Sequence, residues 1–547
     1  MLFLAQMVDE ALGLSNQLNN LSNLLTTYLP AEQVALLSEA AAKLPGSLTL
    51  PSPGMLVVWS LAALLALAVL EQVKFQFGRL GKGHRLPGPS YTVPFLGSMV
   101  EMVQDPHAFW ERQRDYCTPG LSWNSIVTKY MVMVTDPATI RHCFNHNSKD
   151  TLLLDLHPNA KMILGTRNIA FMHGPEHKAL RKSFLALFTR RALSMYVEQQ
   201  DRVIREWLDK WMTAQDAQPG QPMEVRDMVR DMNCATSQRV FIGPYLDDPK
   251  VAKKFTDCYM DMVGGFLTFP LKFPGTAVWR AMKGRQYILV VLEEAVLRSK
   301  ERIRAGAEPS CLLDFWTQQI LKECEEAEAA NVPPPKYSST GEMAYTVMDF
   351  LFASQDASTA SLVWVLTQMA DHPDVLQRVR DEQQAARPDL DATITGDTLA
   401  AMPYTRQVVK EVLRFRPPAP MVPQVAMKPF NLTPNYTAPK GAFIIPDIIS
   451  ACRQGYTDGD KFDPERFGPE RKEDVKFAGN YMVFGHGPHY CVGKEYANNH
   501  LITFLAILST SLDWSRTRTP DSDRIKYLPT IYPWDSIFTF SRRAAAN

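Results

Sequence analysis

The densest chemical signal in the sequence is Phe484-Gly485-His486-Gly487-Pro488-His489-Tyr490-Cys491-Val492-Gly493. Its glycines let the backbone turn tightly and approach a flat partner. Cys491 opens an expected helix, Val492–Leu512, apolar mainly from Leu501 onward. A cysteine at that position faces free N–H groups and the positive end of the helix dipole, which lowers its pKa and favours the thiolate, the form that ligates metals. A phosphate-cradling loop competes with this reading, but neither G-x-G-x-x-G nor G-x-x-x-x-G-K-[ST] is present. A structural cysteine in a glycine-rich turn is the plain alternative. A second constellation is charged. Glu411 and Arg414 share one helix face at i, i+3, where they can pair. A third is Asp356, an acid inside an otherwise apolar helical run, where carboxylates are rare without a partner.

Helices must position most of these groups. Arg190–Thr213, Gly284–Gly306 and Leu312–Ala329 carry apolar residues at helical spacing. Gly341–Ala370, which holds Asp356, is apolar nearly all round at Phe350–Ala353 and Leu362–Leu366, so it is expected to run through the core. It would be about 45 Å long at a rise of 1.5 Å per residue. Asp371-His372-Pro373 ends it. Strand-like runs occur at Ser125–Val134 and Gly441–Pro446. The expectation is a helix-rich α+β domain with one long central helix. The 547 residues suffice for a large core without disulfides, and the eight scattered cysteines contain no Cys-x-x-Cys pair, as suits reduced thiols. With 58 basic and 58 acidic side chains, the chain lacks the basic footprint of a nucleic-acid binder.

Met55–Leu70 is uncharged throughout. Its 16 residues fall short of the roughly 20 that cross a bilayer comfortably. The flanks support an anchor. Residues 1–54 hold one lysine against four acids, while Lys74, Arg79, Lys82 and Arg85 follow the run against Glu71 alone. Positive flanks stay cytoplasmic, so the expected layout is a lumenal segment 1–54, a transmembrane helix 55–73, a basic, proline-rich linker 74–94 and a cytosolic catalytic domain 95–547. Residues 1–50 are expected to include a short amphipathic helix.

The pattern F-x-x-G-x-x-x-C-x-G, met by Phe484, Gly487, Cys491 and Gly493, resembles the haem-binding signature of the cytochromes P-450. Lys410-Glu411-Val412-Leu413-Arg414 resembles that family's E-x-x-R helix, and Phe462-Asp463-Pro464-Glu465-Arg466-Phe467 the loop that follows it. The likeness covers roughly residues 86–543. It implies the cytochrome P-450 fold, haem b as cofactor and Cys491 as the axial thiolate, whose electron push favours O–O cleavage. It also implies a buried structural triad of Glu411, Arg414 and Arg466. His177-Lys178-Ala179-Leu180-Arg181 occupies the site of the W-x-x-x-R helix, so Arg181 and His177, with His489, are expected at the haem propionates. Ala353-Ser354-Gln355-Asp356-Ala357-Ser358-Thr359 lines up with A-G-x-[DE]-T-[TS]. Ser354 stands for the glycine and Ala357 for the threonine, so proton delivery would fall to Asp356 with Ser358, Thr359, a water or a substrate hydroxyl.

Phe350–Thr359, Arg414–Pro423 and Phe273–Ala277 are most similar to the sterol C-22 desaturase branch. That resemblance implies a sterol substrate, dioxygen, an NADPH-dependent flavoprotein reductase, membrane lipid as surroundings and an endoplasmic reticulum location. The reductase would dock on Lys178, Arg181, Lys182, Arg190, Arg191 and Lys494. Leu154, Phe266, Phe352, Met421, Val422, Thr530 and Ile531 are expected to line an apolar cavity. A sterol or lipid hydroxylase or demethylase of the same superfamily is the nearer alternative. A non-oxygenase haem carrier, sensor or isomerase is the more distant one.

Overall fold

The long apolar run of the sequence forms a single uninterrupted helix, and the rest of the body is arranged around it. The computed structural model describes residues 53–76, 81–117, 120–528 and 530–543. The expected lumenal segment and its amphipathic helix lie almost wholly outside these residues. The principal helices are α1 (Pro53–Gln76), α2 (Gly174–Ser183), α3 (Arg190–Ala217), α4 (Arg226–Phe241), α5 (Pro249–Gly264), α6 (Ala277–Arg304), α7 (Leu312–Ala329), α8 (Thr340–Asp371), α9 (Pro403–Phe415) and α10 (Lys494–Ser511). The central helix α8 has 32 residues. The Ser339 side chain caps its start by accepting from the Glu342 amide, and it stops where Pro373 removes the next backbone donor. Its middle is buried on nearly every side, as its composition requires. Helices α3, α4, α8 and α10 pack against one another and carry the largest part of the core.

Five strands form the main sheet: β1 (Leu121–Ile126), β2 (Lys129–Val134), β3 (Leu152–Leu154), β4 (Gln424–Ala426) and β5 (Phe443–Pro446), in the order β1-β2-β5-β4-β3. Only β2 and β5 run parallel; the other neighbours are antiparallel. The expected strand Ser125–Val134 is in fact the end of β1, a tight turn and β2. Val127 and Thr128 both sit at positive φ in that turn, 47° and 61°, a cost that only the paired strands offset. A hairpin of β6 (Ile525–Tyr527) and β7 (Ile531–Pro533) reaches back to α8, where the Ile531 carbonyl accepts from Trp364 Nε1 at 2.9 Å.

The chain divides into two compact units between Ala68 and Val69. Helix α1 crosses that division, and its stretch Gly54–Phe75, 22 residues, is long and apolar enough to span a bilayer. Continuing the helix past the uncharged run supplies the length that Met55–Leu70 lacked, about 33 Å in all. Its large side chains from Met55 to Leu70 are exposed. Phe75, by contrast, is 4% exposed and stacks on Trp123 at 6.3 Å, and Glu71 accepts from the Phe95 amide at 2.5 Å. Leu86 is buried as well. The stretch expected as a linker thus contributes side chains to the body core. Deleting residues 1–68, which removes most of that apolar span, is expected to keep the unfolding midpoint of the body. Deletion through residue 76 is expected to cost about 3 kcal/mol more, the scale of a lost buried phenylalanine, read by denaturant titration.

Candidate functional site

The loop before α10 places Cys491 by two positive-φ glycines, Gly485 at 73° and Gly487 at 71°. A Cβ on Gly487 would lie 2.7 Å from the Phe144 carbonyl oxygen, so no larger residue fits. The Cys491 amide donates to the Phe484 carbonyl at 2.9 Å and closes the loop. All eight cysteines are free, and Cys491 is the exposed one; the others are buried or half-buried. A Cβ on Gly493 would meet only the Cys491 sulfur, at 4.0 Å. Neither backbone strain nor protein packing therefore demands glycine at 493, whereas a flat group resting on the loop would.

The helix begins at Lys494, three residues after the cysteine rather than next to it. The expected lowering of the thiol pKa is not met. The protein packed around the sulfur pushes the Cys491 thiol up although the residue as a whole is accessible, while the Gly493 amide, Arg181 and Lys494 pull the other way.

Helix α2 faces this loop. Arg181 Nη2 donates to the Tyr490 carbonyl at 2.5 Å, and its guanidinium lies over the Tyr490 ring at 5.1 Å. His177 and His489 stack at 4.1 Å, and His173, which precedes α2, meets His489 edge-on at 5.0 Å. Burial and the neighbouring cations push His177 down to about 4 and His489 to about 3, and burial holds Arg181 below its ordinary value. Among the described residues no acid pairs with Arg181, and Nε2 of His177 and both ring nitrogens of His173 are buried without a partner. Polar groups left this way are costly. Carboxylates would satisfy them, and a haem brings two. The donors present fit the group: Cys491 would bind its iron, and Arg181, His177 and His489 would meet its carboxylates. His173 was not anticipated, because nothing in its sequence surroundings sets it apart.

Beneath the site, Glu411, Arg414 and Arg466 are all fully buried. Arg414 holds Glu411 by two bonds of 2.7 and 2.8 Å, and Arg466 Nε donates to Glu411 at 3.0 Å. Sequence reasoning missed the fourth member. Glu473, 3% exposed, accepts from Arg466 at 3.1 Å and balances the second guanidinium. Its contribution depends on how the loop after Arg466 folds back. Glu411→Ala leaves the buried Arg414 guanidinium without its acid and Arg466 with Glu473 alone, and is expected to cost about 3–5 kcal/mol in denaturant unfolding.

Along α8, Phe352, Asp356 and Ala357 are half-open and Ala353 is exposed, although all lie mid-helix; Ser354, Gln355, Ser358 and Thr359 are buried. One stripe therefore faces internal space and the other faces packing. Burial pushes the Asp356 carboxyl up to about 6 against the pull of Arg230 and Arg226. Thr359 lies on the packed stripe, its Oγ1 accepting from Asn233 at 3.0 Å, and Ser358 is 7% exposed. A second acid on the open stripe escaped notice. Asp349 accepts from Asn168 Nδ2 at 2.7 Å and the Ile169 amide at 3.2 Å, and burial pushes it up to about 8. Seven residues before Asp356, it shares that face.

Of the expected pocket residues, Phe266 and Phe352 stack at 4.6 Å. Leu154 ends β3 opposite Gln424, a short distance along the chain from half-buried Met421 and Val422. Thr530 Oγ1 and Tyr532 Oη both donate to the Asp356 carbonyl at 3.4 Å. Ile531 is fully buried within the main hydrophobic core. In the expected docking patch, Arg190 pairs with Asp397, Arg191 with Glu308, and Arg181 turns inward; Lys178 and Lys182 are exposed and Lys494 half-buried.

Fold and site together define a haem-thiolate protein. The cytochrome P450 family model matches residues 87–527, and the chain belongs to that family. It is 39% identical over 490 residues to cytochrome P450 710A3 of Arabidopsis thaliana, covering 89% of this chain and 96% of that one. It is 35% identical to the C-22 sterol desaturase ERG5A of Gibberella zeae, covering 83% and 87%, and 33% identical to the C-22 sterol desaturase ERG5 of Saccharomyces cerevisiae, covering 87% and 88%. The solved structure of retinoic acid bound cyanobacterial CYP120A1 superimposes with a TM-score of 0.69 at 22% identity, over 84% of this chain and 99% of that one. The protein is thus a P450 monooxygenase-type oxidoreductase that uses haem iron, dioxygen and a redox partner.

Proposed function

We propose that this enzyme is a sterol C-22 desaturase, with haem b as its cofactor, anchored in the endoplasmic reticulum membrane by α1 with its body in the cytosol. The observation that carries the reading is the near full-length similarity to named C-22 sterol desaturases. Two hydrogens leave adjacent side-chain carbons, C22 and C23, with two electrons. Two more electrons come from an NADPH-dependent flavoprotein reductase, and dioxygen is reduced to two waters. Bound haem supplies the oxygen activation. The chain supplies the rest. The stacked Phe266–Phe352 pair presents apolar surface beside the open stripe of α8 and excludes water. Asp356, half-open and protonated below about pH 6, is the acid placed to hand on protons. Ala357 offers no hydroxyl there, so the proton passes through a water or by way of Ser358. Lys178 and Lys182, with Lys494, offer the reductase its cationic contact.

Gas chromatography–mass spectrometry of sterols from cells expressing the chain tests this. A new C22–C23 double bond is the expected product. An alcohol at the same carbons would replace desaturation by hydroxylation, and an unchanged sterol profile with an active reductase would remove the sterol assignment.

A further inference from the structure

Two departures from the family pattern, Ser354 and Ala357, fall in the one segment of α8 where backbone geometry matters most to the site. The structure places a concentration of hydrogen bonds with the neighbouring helix α4 there, on the side away from the longer bonds that Thr530 and Tyr532 make to the Asp356 carbonyl. Asn233 Nδ2 donates to the carbonyls of Ser354 (3.2 Å) and Gln355 (2.9 Å) and to Thr359 Oγ1 (3.0 Å). Ser237 and Ser354 join by their hydroxyls at 2.9 Å, and Gln355 Nε2 donates to the Arg230 carbonyl at 3.1 Å. Asn233 is fully buried. Its amide orientation is fixed by its partners, since a flipped side chain would aim an oxygen at two carbonyl oxygens.

In an α-helix the carbonyls of Ser354 and Gln355 also accept from the amides of Ser358 and Thr359. An outside donor on the same oxygens ties that turn of the ladder to α4 and restrains its position. The same turn presents Asp356 and Ala357 on the opposite, open stripe. Only α4 grips this turn by side-chain amide, and it does so where the family pattern would use a glycine and a threonine of α8 itself.

We infer that Asn233 is a positioning residue for oxygen activation, its amide on the packed side of α8 setting the pose of Asp356 and Ala357 on the open side. The inference goes beyond the sterol reading and does not depend on it, because it concerns coupling of electron flow rather than substrate identity.

The test uses the full-length, haem-loaded enzyme with Asn233→Leu, which keeps bulk and removes the donor, and Asn233→Ser, which keeps a short donor. Amide hydrogen exchange at residues 358–360 is expected to quicken about tenfold in Asn233→Leu, and peroxide released per NADPH consumed in the presence of reductase is expected to rise about tenfold. The position of the ferrous carbon monoxide band is expected to hold, and Asn233→Ser to recover part of both effects. If Asn233→Leu does not accumulate with haem, Asn233→Ser is read against wild type on the same two measurements. A fall in unfolding midpoint with exchange at 358–360 and peroxide per NADPH both unchanged would reduce Asn233 to a packing residue and overturn the inference. Absence of sterol turnover in the wild type, with both effects of Asn233→Leu present, would count against the sterol reading alone.

Discussion

Cys491→Ala is expected to abolish the thiolate-type absorption band of the ferrous carbon monoxide adduct and all reductase-driven turnover. That band requires a cysteinate opposite carbon monoxide, and the loop Phe484–Gly493 contains one cysteine. The other seven are buried or half-buried, and the buried Cys143 and Cys452 are pushed up to about 12 by burial. No second thiolate stands ready to substitute. The fold should tolerate the change, because the loop is shaped by Gly485, Gly487 and the Cys491 amide rather than by the sulfur. The check is the absorption spectrum together with the unfolding midpoint. A retained thiolate-type band with a normal midpoint would place the ligand elsewhere.

Asp356→Asn is expected to lower turnover by about 10² or more, the usual scale for loss of a positioned proton donor, with the substrate-induced spectral shift little changed. The sign of its pH dependence follows from burial. The native carboxyl holds its proton up to about 6, above the ordinary aspartate value. Turnover that depends on the protonated form therefore declines as pH rises through about 6, and that limb should be missing in the asparagine variant. Linkage adds a control. A raised native pKa means that the folded state binds more protons than the unfolded one between these values, so the acid costs stability above them. Asp356→Asn should accordingly match or exceed the wild type in unfolding midpoint at pH 8 while losing activity, which separates chemistry from misfolding. Near-normal turnover in the variant would send protons by another route. Ala357→Thr is expected to be tolerated.

The central helix, α3 and α7 were legible because their apolar spacing is written in consecutive residues. Glu411 and Arg414 were legible for the same reason: at i, i+3 a helix brings them together whatever surrounds it. The start of α10 was read two residues early, since cap geometry depends on the loop; the expected lowering of the Cys491 thiol pKa failed because desolvation of the sulfur by the surrounding protein outweighs the nearby donors. The strand at Ser125–Val134 concealed a turn at Val127 and Thr128, residues that sequence alone assigns to extended backbone.

What the sequence determined by itself was the set of groups for the chemistry: one cysteine in a glycine loop, the pairing of a glutamate with its arginine, one acid in an apolar helix and an uncharged run followed by basic residues. These are local properties, carried by composition and short spacing. Tertiary structure alone decided which groups those residues meet. His173 joins His489 from a segment more than three hundred residues away, Glu473 closes the charge balance at Arg466, Asp349 gains Asn168 and Ile169, and Asn233 turns the amide of one helix onto the carbonyls of another. Such pairings are set by the packing of distant segments and by the cost of leaving a buried polar group without a partner. No short stretch of sequence encodes that cost.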